Sequence, residues 1–324
     1  MEVSGYMWAG FIGLVIVMLI LDLGVFHRKA HVVKVKEALI WSAVWISLAL
    51  IFNYVIYYYA GREKGLEFLA GYLIEKSLSV DNLFVFIMLF SYFNVDPKYQ
   101  HRVLFWGIIG ALIMRAIFIF AGVALLERFH WLIYIFGAFL IYSGVVMLKP
   151  HKTDIDPHKN PLVRLFTRFF PVAPSMHGSK FFVRINKRLF ATPLIIVLII
   201  VEFTDLIFAV DSIPAILAVT KDTFIVFTSN VFAILGLRAL YFALAGITQY
   251  FYYLKYGLSA ILVFVGIKML LSATPYKIEI MTSLLVILAI LVLSVLVSVM
   301  FPKKVIPEED LKLLENEESN PTEK

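Results

Sequence analysis

The sequence predicts an all-α integral membrane protein with about nine transmembrane helices, six of which form two inverted three-helix repeats. Three observations lead to this fold class. Apolar residues make up 61% of the 324 residues, which is more than a soluble domain of this length carries. They occur in runs of about 20 residues, the length that a membrane-spanning helix needs. In addition, one pattern of polar residues occurs twice in the middle of the chain, in the same order.

Nine apolar segments, numbered one to nine in chain order, are long enough to cross a bilayer as helices. They cover residues 7–26, 38–60, 67–93, 102–126, 130–148, 191–218, 223–247, 253–271 and 279–301. The first has neither a basic start nor an Ala-x-Ala cleavage site, so we expect a membrane anchor and not a cleaved signal peptide. Cysteine is absent, which excludes disulfides, cysteine metal sites and thiol redox chemistry.

The lysines and arginines predict on which side of the membrane each connection lies. The long connection 149–190 carries nine of them against two aspartates. Connections on the other side, such as 61–65 and 220–222, are short and nearly balanced in charge. By the positive-inside rule, the N-terminus lies outside the cell (inner or plasma) membrane and the C-terminus lies in the cytoplasm. This orientation requires an odd number of spans, and nine satisfies it.

These observations divide the chain into six parts. The prediction places two N-terminal helices in 1–66, the first repeat in 67–148, a basic cytoplasmic loop in 149–190, the second repeat in 191–271, the last helix in 272–301 and a disordered cytoplasmic tail in 302–324. The loop is rich in proline and is expected to be a linker, with an amphipathic piece near 162–170 at the membrane interface. The tail is rich in glutamate and is expected to be solvated.

Two triplets of segments carry the same polar pattern. Segments three to five contain Val80-Asp81-Asn82, Arg115-Ala116 and Gly144-Val-Val-Met147-Leu148, and segments six to eight contain Val210-Asp211-Ser212, Arg238-Ala239 and Gly266-Ile-Lys-Met269-Leu270. Aligning the two patterns also places one acid, Glu75, on another, Asp205. Because segments three and six cross the membrane in opposite directions, the repeats are inverted. This is an architecture of secondary transporters, whose binding site lies near the midplane where the repeats meet.

Five carboxylates lie well inside the apolar segments, away from the segment ends: Glu75, Asp81, Glu202, Asp205 and Asp211. Each costs roughly 2.5–3.5 kcal/mol to place at the centre of a membrane helix, so each is expected to pair with something or to bind something. All seven histidines fall in loops or at segment ends, which leaves oxygen atoms as the available ligands. Oxygen ligands suit hard divalent cations such as Mg²⁺, Ca²⁺ or Mn²⁺ and disfavour Zn²⁺ and Cu⁺. Five carboxylates would also repel an anion.

Basic residues inside the segments offer a different interpretation of these acids. Arg115 and Arg238 lie at equivalent positions of the two repeats, and Lys76 and Lys268 lie nearer the segment ends. Four bases against five acids leave a formal charge of −1, so an internal network of ion pairs could hold the helices together. We predict Lys76, Arg115 and Arg238 to be ion-pairing or gating residues. Asn230 is either an additional ligand or an interhelical hydrogen-bonding group.

Segment six is predicted to be broken between Glu202 and Pro214. In a straight helix, Asp205 and Asp211 differ by about 240° around the axis and therefore cannot share one face. Pro214 removes a hydrogen bond from the helix interior, which favours a break or kink. Arg238 is then expected to approach an acid of the other repeat, because an unpaired guanidinium at the midplane is too costly.

The acidic segments resemble the signature segments of a known protein family. The stretches Glu75–Asn82, Glu202–Ala215 and Thr228–Ala239 are similar to those of the TerC family of bacterial membrane proteins, named after tellurium resistance. The similarity to the Alx-type members of this family extends from about residue 8 to residue 300. The resemblance implies manganese efflux, with the intramembrane acids as the metal site.

Carried over to this sequence, the resemblance assigns the metal site to Glu75, Asp81, Asn82, Glu202, Asp205, Asp211 and Ser212. The expected partners are the lipid bilayer and a metal cation as transported substrate, with no nucleic acid and no permanently bound cofactor. Proton antiport would meet the change in charge when a divalent ion binds, because an empty cluster of carboxylates takes up protons. The chain is not expected to be an enzyme.

Three other functions can be weighed against the same sequence. Alx-type members have also been proposed as redox modulators, but the sequence has no cysteine and no haem, flavin or quinone motif to support that role. A proton pathway or a pH-stress sensor could use the carboxylates without metal. An intramembrane aspartyl protease is disfavoured because no aspartate in the chain follows a glycine.

Overall fold

The computed structural model describes residues 5–24, 33–148, 161–173, 176–185, 188–245, 253–272, 274 and 278–301. This part of the chain is mostly helical. Its helices are α1 (Gly5–Gly24), α2 (Val35–Ala60), α3 (Arg62–Tyr92), α4 (Pro97–Arg128), α5 (Leu132–Met147), α6 (Pro161–Phe169), α7 (Pro193–Leu217), α8 (Thr223–Leu235), α9 (Leu237–Ala245), α10 (Leu254–Leu271) and α11 (Ile280–Met300). A hairpin of two strands, β1 (Phe182–Ile185) and β2 (Arg188–Ala191), lies between α6 and α7.

Each predicted apolar segment coincides with a helix or with a pair of helices. Six helical stretches of the described chain are long and apolar enough to cross a membrane: α2, α4, α7, α8 with α9, α10 and α11. The helix α5 and the stretch Gly5–Leu21 of α1 are also apolar but shorter. The helix α3 has 31 residues and carries the charged residues Glu67, Glu75, Lys76 and Asp81. The chain is therefore a multi-pass membrane protein.

Segment six is not broken, and that prediction is wrong. The helix α7 continues through Glu202, Asp205, Asp211 and Pro214 as one α-helix. Pro214 lies in the last turn, where the hydrogen bond that it cannot make would have gone to Val210, so the turns around the acids are undisturbed. Asp205 and Asp211 consequently point to different neighbouring helices.

The interruption occurs instead in segment seven, where α8 and α9 are separated by Gly236. Lys76 of α3 reaches this point, and its Nζ donates a hydrogen bond to the carbonyl oxygen of Ala233 at 3.2 Å. A Cβ atom on Gly236 would lie 2.7 Å from that Nζ and 3.1 Å from the Cβ of Trp45. The missing side chain at position 236 therefore lets a lysine of a neighbouring helix bind the helix backbone.

The helices of the two predicted repeats make their most extensive contacts with each other in three pairs: α3 with α8, α4 with α7, and α5 with α10. Small residues allow the close approach of α5 and α10. The hydroxyl of Ser259 donates a hydrogen bond to the carbonyl oxygen of Gly144 at 2.6 Å. A Cβ atom on Gly266 would lie only 2.7 Å from the carbonyl oxygen of Gly137.

The start of α4, the helix that carries Arg115, is fixed by a helix cap. Pro97 occupies the first turn, and the side chain of Asp96 accepts a hydrogen bond from the backbone N–H of Lys98 at 3.0 Å. The side chain of Lys98 lies 2.8 Å from the same carboxylate. Hydrogen bonding to Lys98 holds the pKa of Asp96 below its usual range.

The basic loop contains more structure than a linker. The amphipathic piece predicted near 162–170 is the helix α6. The antiparallel hairpin that follows pairs Phe182 with Ala191 and Ile185 with Arg188, so the all-α prediction needs this correction. Residues 149–160 of the loop and the predicted tail 302–324 lie outside the described residues.

Candidate ion site around Arg115

The most buried charged group near the centre of α4 is Arg115, with 1% of its surface exposed. Its Nη1 contacts the Oε1 atom of Glu75 on α3. Its Nη2 lies 3.4 Å from Oδ1 of Asp205 on α7. One guanidinium therefore bridges an acid from each of the two predicted repeats.

Neutral polar side chains complete the surroundings of this guanidinium. Nη1 of Arg115 donates hydrogen bonds to Oδ1 of Asn230 at 2.9 Å and to Oγ of Ser212 at 3.2 Å. The hydroxyl of Ser79 donates to Oε1 of Glu75 at 3.0 Å. We call the six residues the Arg115 cluster: Glu75, Ser79, Arg115, Asp205, Ser212 and Asn230.

Two oxygen atoms of the Arg115 cluster remain unsatisfied. Oε2 of Glu75 and Oδ2 of Asp205 are buried and have no hydrogen-bond partner among the described residues. A buried acceptor without a partner costs about 1–3 kcal/mol, and more when it is charged. Two carboxylates and one guanidinium also leave a formal charge of −1. The arrangement can therefore accept additional positive charge, as protons or as a metal cation.

The other predicted ligands lie on the same helices but outside the Arg115 cluster. Asp211 accepts a hydrogen bond through Oδ1 from the hydroxyl of Ser143 on α5, at 2.9 Å. Glu202 is half-buried against α4, where a Cβ atom on Gly110 would overlap its carboxylate. Asn82 is buried in α3. Asp81 belongs to α3, but its side chain lies outside what the structure describes.

The predicted ion-pairing residues have different surroundings. Arg115 forms the ion pairs described above, whereas Lys76 binds the backbone at the interruption between α8 and α9. Arg238 is buried and lines a small cavity of about 20 Å³ together with Asp205. Its approach to an acid of the first repeat stays a prediction. In the described residues, no three Asp, Glu or His side chains converge in the way that a closed metal site requires.

A second cluster of polar side chains lies at the end of the molecule where α3 begins and α7 ends. Nζ of Lys64 lies 2.8 Å from Oε2 of Glu67 and 3.2 Å from Oδ2 of Asp222. The hydroxyl of Thr220 donates to Oε2 of Glu67 at 2.6 Å. A cavity of about 760 Å³ opens beside these residues, and Lys268 also lines it.

Sequence reasoning overlooked three of these residues. Ser143 and Gly110 are isolated small residues in apolar segments, and nothing in the local sequence marks them as neighbours of an acid on another helix. Glu67 was detectable, since it is one more acid at the edge of segment three. Of its partners, Lys64 lies three residues earlier on the same helix, whereas Thr220 belongs to a connection 153 residues away and cannot be derived from spacing.

A family model agrees with the membrane fold and covers the polar clusters. The model described as "Integral membrane protein TerC family" matches residues 60–305, which include every residue of the Arg115 cluster. No solved structure matches the chain.

Related proteins match over most of their length. An uncharacterized membrane protein of Myxococcus xanthus is 60% identical over 263 residues, which are 81% of this chain and 82% of the relative. A protein of Escherichia coli (strain K12), named as a candidate membrane-bound redox modulator, Alx, is 50% identical over 301 residues, 90% of this chain and 94% of the relative. An uncharacterized membrane protein of Rickettsia bellii is 44% identical over 296 residues, 90% of this chain and 96% of the relative.

Proposed function

Because the chain belongs to the TerC family of integral membrane proteins, we propose that it exports a hard divalent cation, Mn²⁺, through the Arg115 cluster. The observation that carries the proposal is the pair of buried carboxylate oxygens without hydrogen-bond partners among the described residues, on Glu75 and Asp205. They come from two different predicted repeats. An ion bound between them would be held by both halves of the molecule.

Charge and position give Arg115 a specific role in this proposal. The guanidinium of Arg115 lies between Glu75 and Asp205, where a transported cation would bind. It therefore competes with that cation for the two carboxylates. A divalent ion would change the formal charge of the cluster from −1 to +1, which is unfavourable in a membrane. Glu202 lies one helical turn before Asp205 on the same face of α7 and would supply the missing negative charge. Release of the ion then leaves acids that take up protons, which is the basis of an antiport cycle.

The movement that we propose is alternating access of two inverted repeats across nine spans. The packing supports this arrangement. In the proposed symmetry, α3 corresponds to α7, α4 to α8–α9, and α5 to α10. Exchanging the two repeats then turns the contact between α3 and α8 into the contact between α7 and α4, and it leaves the contact between α5 and α10 unchanged. All three pairs occur in the structure. A rocking motion about this symmetry would open the Arg115 cluster to each side in turn.

The cavity beside Glu67 and Asp222 is the exit route of this proposal. The Lys/Arg distribution predicts that this end faces outside, since the connections 61–65 and 220–222 lie there. Glu67 precedes Glu75 by about two helical turns, or about 12 Å along α3. The cavity therefore lies on the side of the Arg115 cluster to which an exporter releases its substrate.

The chemistry of the cluster supports Mn²⁺ over softer metals. Carboxylate, amide and hydroxyl oxygens are the ligands available, together with Asp81, Asn82 and Asp211 as the further residues that the family resemblance assigns. Mg²⁺ dehydrates reluctantly and demands a strict octahedral geometry. A dry group of side chains on four helices would therefore favour a cation that sheds water more easily.

A proton pathway or redox and pH-stress modulation without metal transport is the alternative. Its support is that the unsatisfied oxygens of Glu75 and Asp205 could bind protons alone, and that an Escherichia coli relative is named as a candidate redox modulator. Under this alternative, replacing the two acids by amides would alter the response of cells to pH and leave their metal content unchanged.

The test of the proposal is the metal content of cells under manganese stress, measured by mass spectrometry with and without the protein. Cells that express the protein should hold less manganese, and the variants Glu75→Gln and Asp205→Asn should hold as much as cells without it. Glu127→Gln is the matched control, because Glu127 is an exposed carboxylate near the end of α4. Equal manganese in all strains, with normal expression, would refute export.

A further inference from the structure

The helix α6 and the hairpin β1–β2, here called the interfacial module, lie next to each other at one end of the membrane helices. The backbone N–H of Thr192 donates to the carbonyl oxygen of Phe181 at 2.9 Å, and its hydroxyl donates to that of Lys180 at 2.7 Å. The transmembrane helix α7 begins at the next residue, Pro193. The module is therefore fixed directly beside the membrane.

Contacts with two transmembrane helices set the orientation of the module. Val163 of α6 is buried in the hydrophobic core that includes Leu194 of α7. Nη1 of Arg102 on α4 donates to the hydroxyl of Ser179 at 3.0 Å, and its guanidinium lies 5.0 Å from the ring centre of Phe181. One side of the module is thus occupied by protein.

The other side of the module exposes large apolar side chains. Leu162, Leu165 and Phe169 follow each other at helical spacing on α6, and Phe169 has 70% of its surface exposed. Together with the neighbouring hairpin and its connection, the exposed apolar residues are Leu162, Leu165, Phe169, Phe170, Val172, Phe182 and Leu189. Such a patch is unfavourable in water and indicates a membrane or a partner.

The charge of the module is of one sign. Residues 161–192 contain six lysines and arginines and no aspartate or glutamate. Four exposed arginines accompany the apolar patch: Arg164, Arg168, Arg184 and Arg188. Basic residues beside exposed phenylalanines and leucines are typical of segments that lie in the headgroup region of anionic membranes.

We propose that the interfacial module is a binding surface for anionic phospholipid headgroups, with its apolar residues inserted among the acyl chains of the same leaflet. The arginines complement the phosphate groups, and the apolar patch favours a lipid over a purely electrostatic partner such as nucleic acid. The fixed position beside the start of α7 places the surface at the depth where headgroups lie. This inference does not depend on the transported substrate.

A fluorescent label on the module tests this proposal in the full-length protein. Because the chain has no cysteine, Leu165→Cys can carry a single environment-sensitive fluorophore. The labelled protein in zwitterionic detergent is titrated with phosphatidylglycerol, or with phosphatidylcholine of the same acyl chains. Phosphatidylglycerol should shift the emission to the blue in a saturable manner that weakens with salt, and phosphatidylcholine should not.

Paired arginine variants give the quantitative result. Arg164→Gln with Arg168→Gln should weaken phosphatidylglycerol binding about 25-fold, at about fivefold for each arginine near a membrane surface. The matched control is Arg62→Gln with Arg128→Gln, two exposed arginines at the far ends of α3 and α4, which should leave binding within about twofold. Thermal unfolding of each variant confirms that it is folded.

Three outcomes would overturn the proposal. The first is an equal response to phosphatidylcholine, which would make the surface merely apolar. The second is unchanged lipid binding in the folded Arg164→Gln, Arg168→Gln variant. The third is displacement of phosphatidylglycerol by a single-stranded oligonucleotide at a lower concentration than the lipid, which would assign the surface to nucleic acid.

Discussion

Arg115 and Asp205 form a buried ion pair between α4 and α7, with Nη2 of the arginine 3.4 Å from Oδ1 of the aspartate. The same guanidinium contacts Glu75 of α3. The two predicted repeats are thereby joined by one side chain inside the membrane. Any other cation that binds Glu75 and Asp205 must therefore share these two carboxylates with Arg115.

The first prediction concerns this ion pair. Arg115→Gln should lower the free energy of unfolding by about 3–5 kcal/mol, because it leaves two buried carboxylates without a compensating charge. Thermal unfolding of the purified protein in detergent measures the effect. Arg128→Gln, at the exposed end of the same helix, should unfold at the wild-type temperature. An Arg115→Gln variant as stable as the wild type would show that the pair does not hold the repeats together.

The second prediction concerns the close approach of α5 and α10. Gly266→Ala should destabilise the protein by about 1–3 kcal/mol, since the added Cβ atom meets the backbone oxygen of Gly137, which cannot move as a side chain can. Gly13→Ala on α1 is the matched control, because nothing lies within 4 Å of its Cβ position. If both alanines have the same unfolding temperature, the two helices are not in close contact.

Part of this organisation could be predicted from the sequence. The apolar segments coincide with helices because the length of an apolar run alone determines whether a helix can span a membrane. The resemblance to the TerC family, carried by Glu75–Asn82, Glu202–Ala215 and Thr228–Ala239, is confirmed. The amphipathic piece near 162–170 was also predictable, since its charge and hydrophobicity alternate at helical spacing.

The interruption could not be placed from the sequence. Local propensity favours a break at Pro214, but this residue lies in the last turn of α7, where it costs little. The observed break lies at Gly236, where Lys76 approaches from α3 and hydrogen-bonds the carbonyl oxygen of Ala233. That is a tertiary contact, and local propensity carries no information about it.

The partners of the charged residues were likewise beyond sequence reasoning. Acids and bases could be counted, but the rotation of each helix decides which of them meet. Asp211 illustrates the point, because it pairs with Ser143 and not with the cluster that holds Asp205. The hairpin was missed because prolines and basic residues around it favoured a linker, although Phe182, Arg184 and their neighbours alternate in exposure as a strand requires.

The third prediction concerns acids outside the Arg115 cluster. Asp211→Asn and Asp81→Asn should each increase cellular manganese and sensitivity to added manganese, because the family resemblance assigns both to the metal site. Ser143→Ala removes the hydrogen bond to Asp211 and should have a smaller effect in the same direction. Elemental analysis measures the manganese content of cells that express each variant at the wild-type level. A manganese content equal to that of wild-type cells in both acid variants would remove Asp81 and Asp211 from the transport route.

The fourth prediction concerns orientation in the membrane. A cysteine introduced at the exposed Lys180 should react with a membrane-impermeant reagent only after the cytoplasmic side is opened, whereas one at the exposed Arg62 should react in intact cells. The absence of native cysteine makes single-site labelling unambiguous. Labelling of position 180 in intact cells would invert the proposed topology and with it the direction of transport.

Transport by the purified protein tests the central proposal most directly. The protein is reconstituted into liposomes that contain a manganese-sensitive dye and have an acidic interior, and Mn²⁺ is added outside. We predict rapid dye quenching with loss of the internal protons for the wild type and for Glu127→Gln, and at least a tenfold slower response for Glu75→Gln and Asp205→Asn, in keeping with the loss of a required charge. Quenching by the wild type no faster than in protein-free liposomes, or equal rates for Glu75→Gln and the wild type, would contradict the account.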